Sequence, residues 1–178
     1  DLGLDPPIFL QLPGADGTLL DAALYLPDKA EASPLIISGY GGPHAQRVMN
    51  EWSLTVDLRA QFLVQQGFAV LKVDNRGSAN RGLAFESHIF RKMGTIEVDD
   101  QVTALQALSK NERIDVTKVG IYGWSYGGYL TCMALMRYPD VFQVGVAGAP
   151  VIDWTGYDTA YTERYMQKPS ENQDGYSN

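Results

Sequence analysis

Histidine and cysteine are almost missing from this chain: 178 residues contain two histidines and one cysteine. The single thiol, Cys132, can close no intrachain disulfide and can build no thiolate metal cluster. The compartment stays open, periplasmic, extracellular or cytoplasmic, because many exported proteins also lack disulfides. Basic residues are few, 14 Lys plus Arg against 21 Asp plus Glu for a net charge of −7, which argues against nucleic acid or an anionic membrane as a partner. No apolar run approaches the roughly 18 residues of a membrane-spanning helix. The first residues show no basic stretch leading into an apolar one, so no signal segment is visible. There is no internal repeat, phosphate loop or dinucleotide fingerprint, and no cofactor or metal is implied. The first residue is Asp1 rather than Met, and from that we expect a chain processed or cut from something longer.

What the chain does have is an apolar fraction of 45%, enough to bury the core of one domain. Ile8-Phe9-Leu10-Gln11-Leu12 and residues 19–26 read as two strands, and Gly14-Ala15-Asp16-Gly17 supplies the turn of an antiparallel start. Leu35-Ile36-Ile37-Ser38 is a short apolar run of the kind buried in a parallel sheet. The spacing of Trp52, Val56, Leu58, Phe62 and Leu63 predicts a helix that closes at Gln66-Gly67, and residues 68–73 predict the next strand. Residues 74–82 are polar and punctuated by glycine, so they are expected at the surface. A helix from about Ile96 would bury Ile96, Val98, Val102, Leu105 and Leu108. A strand at 118–122, a helix from 129 to about Tyr138-Pro139 and a final core strand at 141–148 follow. The tail is aromatic and polar from Trp154, and after Pro169 it reads as a mobile loop. Strand and helix alternate from Leu35 onward, so the expected architecture is α/β, a mostly parallel sheet with helices on both faces.

Between that strand and that helix lies Gly123-Trp124-Ser125-Tyr126-Gly127-Gly128. A G-x-S-x-G sequence in a strand-turn-helix context is a nucleophile elbow, in which the glycines permit a sharp turn and the serine hydroxyl is lifted clear of the sheet. A plain glycine-rich turn is the alternative. Serine attacks a carbonyl only when a base takes its proton, and the oxyanion that forms needs donors already in place. The backbone N–H after the nucleophile, that of Tyr126, is one such donor. Gly39-Tyr40-Gly41-Gly42-Pro43, after an earlier core strand, stands where a second is usually supplied. The Tyr40 hydroxyl is a candidate for it, and a tyrosine that merely packs a turn is the alternative.

With the elbow, Tyr40-Gly41-Gly42-Pro43, Arg76-Gly77-Ser78, Gly94-Thr95-Ile96-Glu97-Val98-Asp99-Asp100-Gln101 and Tyr161-Thr162-Glu163-Arg164-Tyr165-Met166 in order, the chain resembles the prolyl oligopeptidase family, and within it the dipeptidyl peptidase IV branch. The resemblance runs from about Leu35 to about Lys168, and the first thirty or so residues match weakly. It implies an α/β-hydrolase fold and a serine exopeptidase that releases Xaa-Pro or Xaa-Ala dipeptides, with a peptide bearing Pro or Ala at its second position as substrate. It makes Ser125 the nucleophile, Tyr40 the side-chain oxyanion donor and Tyr126 the backbone donor. It places Val151, Trp154, Tyr157 and Tyr161 on the wall of a proline-accepting S1 pocket, and a homodimer of the intact protein is compatible with it. A proline ring is flat, apolar and short, so aromatic faces can bury it without a hydrogen bond.

Two departures qualify the resemblance. On this fold the triad follows the order Ser, then Asp or Glu, then His, yet His44 and His88 both precede Ser125. His44 lies near the oxyanion loop but breaks the order, and His88 reads as structural or surface. Asp140, Asp153, Asp158, Glu163, Glu171 and Asp174 come too soon after the elbow. The expectation is that residues 1–178 are the N-terminal portion of a catalytic domain truncated at its C-terminus, without the acid and base. The β-propeller that carries the amine-gripping acids in this branch is expected to be absent as well. A sheet ending on residues 141–147 would then expose an apolar edge, and the segment alone is expected to turn over little substrate. An esterase or acyl hydrolase on the same fold, and a non-catalytic interaction domain, remain open readings.

Overall fold

A computed structural model describes residues 3–29, 31–55 and 57–177. Its strands are β1 (Ile8–Pro13), β2 (Leu19–Tyr25), β3 (Ser33–Ser38), β4 (Ala69–Val73), β5 (Ile114–Trp124) and β6 (Val144–Gly148). They form one sheet in the order β1-β2-β4-β3-β5-β6. The first two make the antiparallel hairpin and β2 continues antiparallel onto β4, whereas β4, β3, β5 and β6 run parallel. The helices are α1 (Trp52–Thr55), α2 (Leu58–Gln65), α3 (Leu83–Glu86), α4 (Ile96–Ala107), α5 (Tyr126–Arg137), α6 (Thr159–Met166) and α7 (Gln173–Tyr176). This is the mixed, mostly parallel sheet of an α/β-hydrolase fold.

Strand periodicity sorts the side chains between two faces. Leu35, Ile37, Leu71, Val119 and Ile121 point into the main core, against Val98, Val102 and Leu105 of α4 and Leu130 and Met133 of α5. Each such side chain contributes about 1.5–3 kcal/mol of burial. Ala23, Tyr25 and Val70 point the other way, toward Ala60 of α2 and toward Val48 in the loop before α1. Helices therefore stand on both faces, but α2 covers only the β2–β4 half of its face. Over β3, β5 and β6 that face carries an apolar hollow of about 440 Å³, lined by Ile36, Phe62, Leu63, Tyr122, Trp124 and Val146 among others.

Four expectations from sequence need correction. The helix predicted from Trp52 is two short pieces, because the Asp57 carboxylate accepts the N–H groups of Arg59 and Ala60 and starts a new helix. Asp57 is in turn held by the buried Lys72 Nζ at 2.5 Å. Trp52, Leu58 and Phe62 of the predicted stripe are exposed, and Val56 lies outside the described residues. The buried residues of α2 are Ala60, against the sheet, and Gln61, whose Nε2 donates to the Asp5 carbonyl. The expected core strand at 141–148 is only β6, at the sheet edge, with Val144 and Val146 60% and 66% exposed. The tail is not loose among its described residues, which exclude Asn178. Met166 and Asn172 are buried, and Asn172 Nδ2 donates to the carbonyls of Arg91 and Met166.

The fourth correction bears on function. Residues 74–78 do not lie at the surface: Asp74, Asn75, Arg76 and Ser78 are buried, and the expected exposure holds at Asn80, Arg81 and Gly82. Arg76 donates to Asp100 through Nε and Nη2 and to Asp16 through Nη1, tying α4 to the first hairpin turn. Asn75 Nδ2 donates to the Gly41 carbonyl, and Gln101 of α4 donates to Asn75 Oδ1. The side chains of Asp74, Asn75 and Arg76 are tolerated inside here because each finds a partner. Asp74 accepts the backbone N–H groups of Arg47 and Val48 at 2.7 and 3.0 Å, fixing the chain that leads out of the Gly39–Pro43 turn.

Burial outweighs those two hydrogen bonds and raises the Asp74 pKa to about 6. The folded protein then holds this proton more tightly than the unfolded chain, whose aspartates titrate near 3.9. The resulting stability, about 3 kcal/mol, is present below pH ~4 and lost as pH rises through ~6. A carboxyl-carbon NMR titration should place the Asp74 midpoint near 6, and a midpoint near 4 would contradict the burial.

Candidate active site

Parallel strands deliver their following loops to one edge of the sheet, and β3, β5 and β6 are neighbours. Gly39–Pro43 therefore meets the turn at Ser125 and the segment from Ala149. The approach is close: Gly39 N donates to the Tyr122 carbonyl and Ser125 N to the Gly148 carbonyl, both at 2.9 Å. A Cβ on Gly123 or Gly127 would overlap the Gly39 carbonyl, and one on Gly128 would stand 2.6 Å from the Gly148 oxygen. This is why glycines flank the serine.

Ser125 has φ 57 and ψ −118, a left-handed backbone at a non-glycine residue. That geometry ends β5 and starts α5 within one residue, and it leaves the half-buried Ser125 side chain with no capping bond to the helix. Tyr126 is the first residue of α5, where an N–H has no acceptor inside the helix and is available to an anion. Tyr40 is half-buried with its ring 6.1 Å from that of Tyr126. Burial raises the Tyr40 pKa, aided by Tyr157 and Tyr165, so its hydroxyl remains a donor throughout the neutral range.

Of the four residues assigned to the pocket wall, Trp154, Tyr157 and Tyr161 come together behind the elbow. Val151 and Trp154 are buried in the main core. The Trp154 ring stacks on Tyr161 at 6.1 Å and 13° and meets Tyr157 edge-on at 5.8 Å, while Tyr157 and Tyr161 meet edge-on at 5.7 Å. Burial raises the pKa of Tyr161. The cluster extends to Tyr126, 5.6 Å from Trp154, so wall and elbow share one packed aromatic group.

Neither histidine is joined to Ser125 by a hydrogen bond among the described residues. His44 Nδ1 sits 3.5 Å from Glu86 Oε2, and its ring is 5.5 Å from Tyr165. His88 Nδ1 is 3.1 Å from the Phe85 carbonyl. Asp153 caps the turn at Trp154 and Asp158 caps α6, so these downstream acids serve the backbone. Among the described residues no group of three His, Cys, Asp or Glu side chains is placed to hold a metal, and no helix is long and apolar enough to cross a membrane.

Sequence reasoning missed three parts of this site. Asn75 supports the Gly41 carbonyl. Tyr129 packs edge-on against both Tyr126 and Trp154, and burial pushes its pKa up to about 12. Glu97, fully buried, accepts the Tyr126 hydroxyl at 2.6 Å. The available signal for the last was a carboxylate set next to the apolar stripe of α4.

Residues 54–178 match the prolyl oligopeptidase family. The chain is 46% identical over 175 residues to human dipeptidyl peptidase 8, covering 96% of this chain and 20% of that protein. It is 37% identical over 180 residues to a probable dipeptidyl peptidase 4 of Aspergillus flavus, covering 99% and 23%. The first hairpin therefore aligns with these relatives too. Among solved structures, the chain resembles dipeptidyl peptidase 4 of Porphyromonas gingivalis, with TM-score 0.87 and 35% identity over 98% of this chain and 25% of that one. It also resembles a Bacteroides ovatus protein proposed to be a dipeptidyl aminopeptidase IV, with TM-score 0.92 and 40% identity over 98% and 26%. It spans about a fifth to a quarter of each. By these matches the chain belongs to the prolyl oligopeptidase family and resembles its dipeptidyl peptidase IV branch.

Proposed function

We propose that this chain carries the nucleophile, the oxyanion donors and the proline pocket of a serine exopeptidase that releases Xaa-Pro or Xaa-Ala dipeptides from peptide N-termini. The observation that carries the reading is the strained Ser125 backbone between β5 and α5, set beside Tyr40 and the Trp154–Tyr161 stack. In the reaction a base takes the Ser125 proton as Oγ attacks the carbonyl carbon of the second residue. The oxyanion is received by the Tyr126 N–H and the Tyr40 hydroxyl. As the intermediate collapses, the C–N bond breaks, the base returns its proton to the leaving amine, and an acyl-enzyme remains for water to hydrolyse. A prolyl ring in this scheme lies among Val151, Trp154, Tyr157 and Tyr161.

The base and its acid are assigned to sequence outside these residues, which makes residues 1–178 the N-terminal portion of the catalytic domain. Both histidines have other neighbours, and the uncovered apolar face over β3, β5 and β6 fits a missing remainder of the same domain. The amine-gripping acids of this branch would come from a propeller, also outside this chain. Human dipeptidyl peptidase 8 and the Porphyromonas enzyme bear names consistent with this reading.

A matched pair of substrates tests it. The full-length protein should cleave both Gly-Pro anilide and a simple aryl ester, whereas the 178-residue chain should cleave the anilide at a small fraction of that rate. Cleavage of the ester alone by the full-length protein would sink the peptidase reading. Full anilide turnover by the short chain would sink the placement of the base.

A further inference from the structure

Glu97 is fully buried, and nothing in the acyl-transfer scheme uses it. A carboxyl group taken out of water costs several kcal/mol unless hydrogen bonds compensate. Here Oε1 accepts two, from the Tyr126 hydroxyl at 2.6 Å and from the Gly94 N–H at 2.5 Å. Oε2 accepts none of ordinary geometry. The backbone N–H groups of Thr95 and of Glu97 itself, at the start of α4, act on the carboxylate electrostatically. Burial raises the pKa of Glu97 and, with Glu97 beside it, that of Tyr126, so the tyrosine stays a donor.

The position of the Tyr126 ring matters because another loop rests on it. A Cβ at Gly42 would come 2.6 Å from Tyr126 Cγ and 2.9 Å from Cδ2, so the backbone of the Tyr40 loop lies directly against the ring. The ring is also packed by Tyr129, edge-on at 5.4 Å, and by Trp154 at 5.6 Å. The ring thus stands between the turn that presents the Tyr126 N–H and the loop that presents the Tyr40 hydroxyl. Only its far end, at the hydroxyl, is held by a polar bond, and Glu97 makes that bond.

We propose that Glu97 is a positioning residue which, by holding the Tyr126 hydroxyl, sets the ring as a spacer and so fixes the gap between the two oxyanion donors. The inference rests on the acyl-transfer reading above and adds to it a residue that touches no substrate. A spacer of this kind acts on the transition state, because the donors must meet the oxyanion rather than the ground-state carbonyl, and misplacement by about 1 Å costs on the order of 100-fold in rate.

The test uses the full-length protein with active sites counted by fluorophosphonate titration, so that rates refer to competent Ser125. Tyr126→Phe and Glu97→Ala should each lower kcat for a Gly-Pro amide by about 10- to 100-fold and leave KM within about threefold. Glu97→Gln should lose less, since its amide oxygen can still accept the Tyr126 hydroxyl. In a Tyr40→Phe background, where one positioned donor is already gone, the added cost of Tyr126→Phe should shrink to a few-fold. A Tyr126→Phe enzyme with kcat within twofold of the parent would overturn the proposal, even if Glu97→Ala fails to fold. So would a loss undiminished in the Tyr40→Phe background. Absence of fluorophosphonate labelling in the parent would instead remove the acyl-transfer reading itself.

Discussion

Full-length protein carrying Ser125→Ala is expected to hydrolyse Gly-Pro amides on the order of 10⁵- to 10⁶-fold more slowly than the parent. The hydroxyl is the only group in the scheme that forms a bond to substrate, and water cannot take its place at the elbow. What survives is the modest assistance that oxyanion donors and binding groups give to hydrolysis without a nucleophile. Peptide binding should be retained within about threefold, because Val151, Trp154, Tyr157 and Tyr161 are packed independently of the hydroxyl. Measuring the two separately matters: a fall in kcat with binding intact identifies a nucleophile, whereas joint loss points to misfolding. A residual rate within 100-fold of the parent would be incompatible with a Ser125 acyl-enzyme.

Gly127→Ala should be among the most damaging single methyl groups in the site. Its Cβ would overlap the Gly39 carbonyl oxygen and stand 3.1 Å from Tyr40 Cα. Both obstacles are backbone, so no side chain can swing away. Either α5 tilts off the sheet or the Tyr40 loop retreats. The packing cost is about 3 kcal/mol, and the loop movement displaces the Tyr40 hydroxyl, for a further loss of about 100-fold in kcat. Thermal unfolding together with kcat on the folded fraction measures the two parts. An enzyme with the parent's thermal midpoint and rate would mean that the loop and the elbow are not in the contact described.

The elements that periodicity could resolve were legible. The hairpin, β3, β4 and α4 appear where alternation, apolar runs or helical spacing placed them, and β5 and α5 appear with earlier starts. The elbow was legible because one short motif specifies its own backbone: two glycines make room, and Ser125 takes the left-handed turn between strand and helix. Residues 74–78 were misread because composition alone cannot distinguish a solvated polar loop from a buried one whose partners are distant in sequence. Asn75 finds Gly41 and Arg76 finds Asp100 only in the folded chain. The stripe at Trp52 failed for the opposite reason. Apolar spacing implies a buried face only where something covers it; Phe62 borders the uncovered part of the sheet, and Leu58 is exposed. Glu97 escaped because a glutamate in a first helical turn ordinarily faces water and the helix dipole, and its partner Tyr126 lies 29 positions away.

The most direct measurement is to treat the full-length protein with a fluorophosphonate, digest it, and locate the adduct by mass spectrometry. The account predicts one equivalent of label on Ser125, in the peptide containing Gly123-Trp124-Ser125-Tyr126-Gly127, with peptidase activity lost in step with labelling. Label on another serine while Ser125 stays free, or activity that survives full labelling of Ser125, would contradict it.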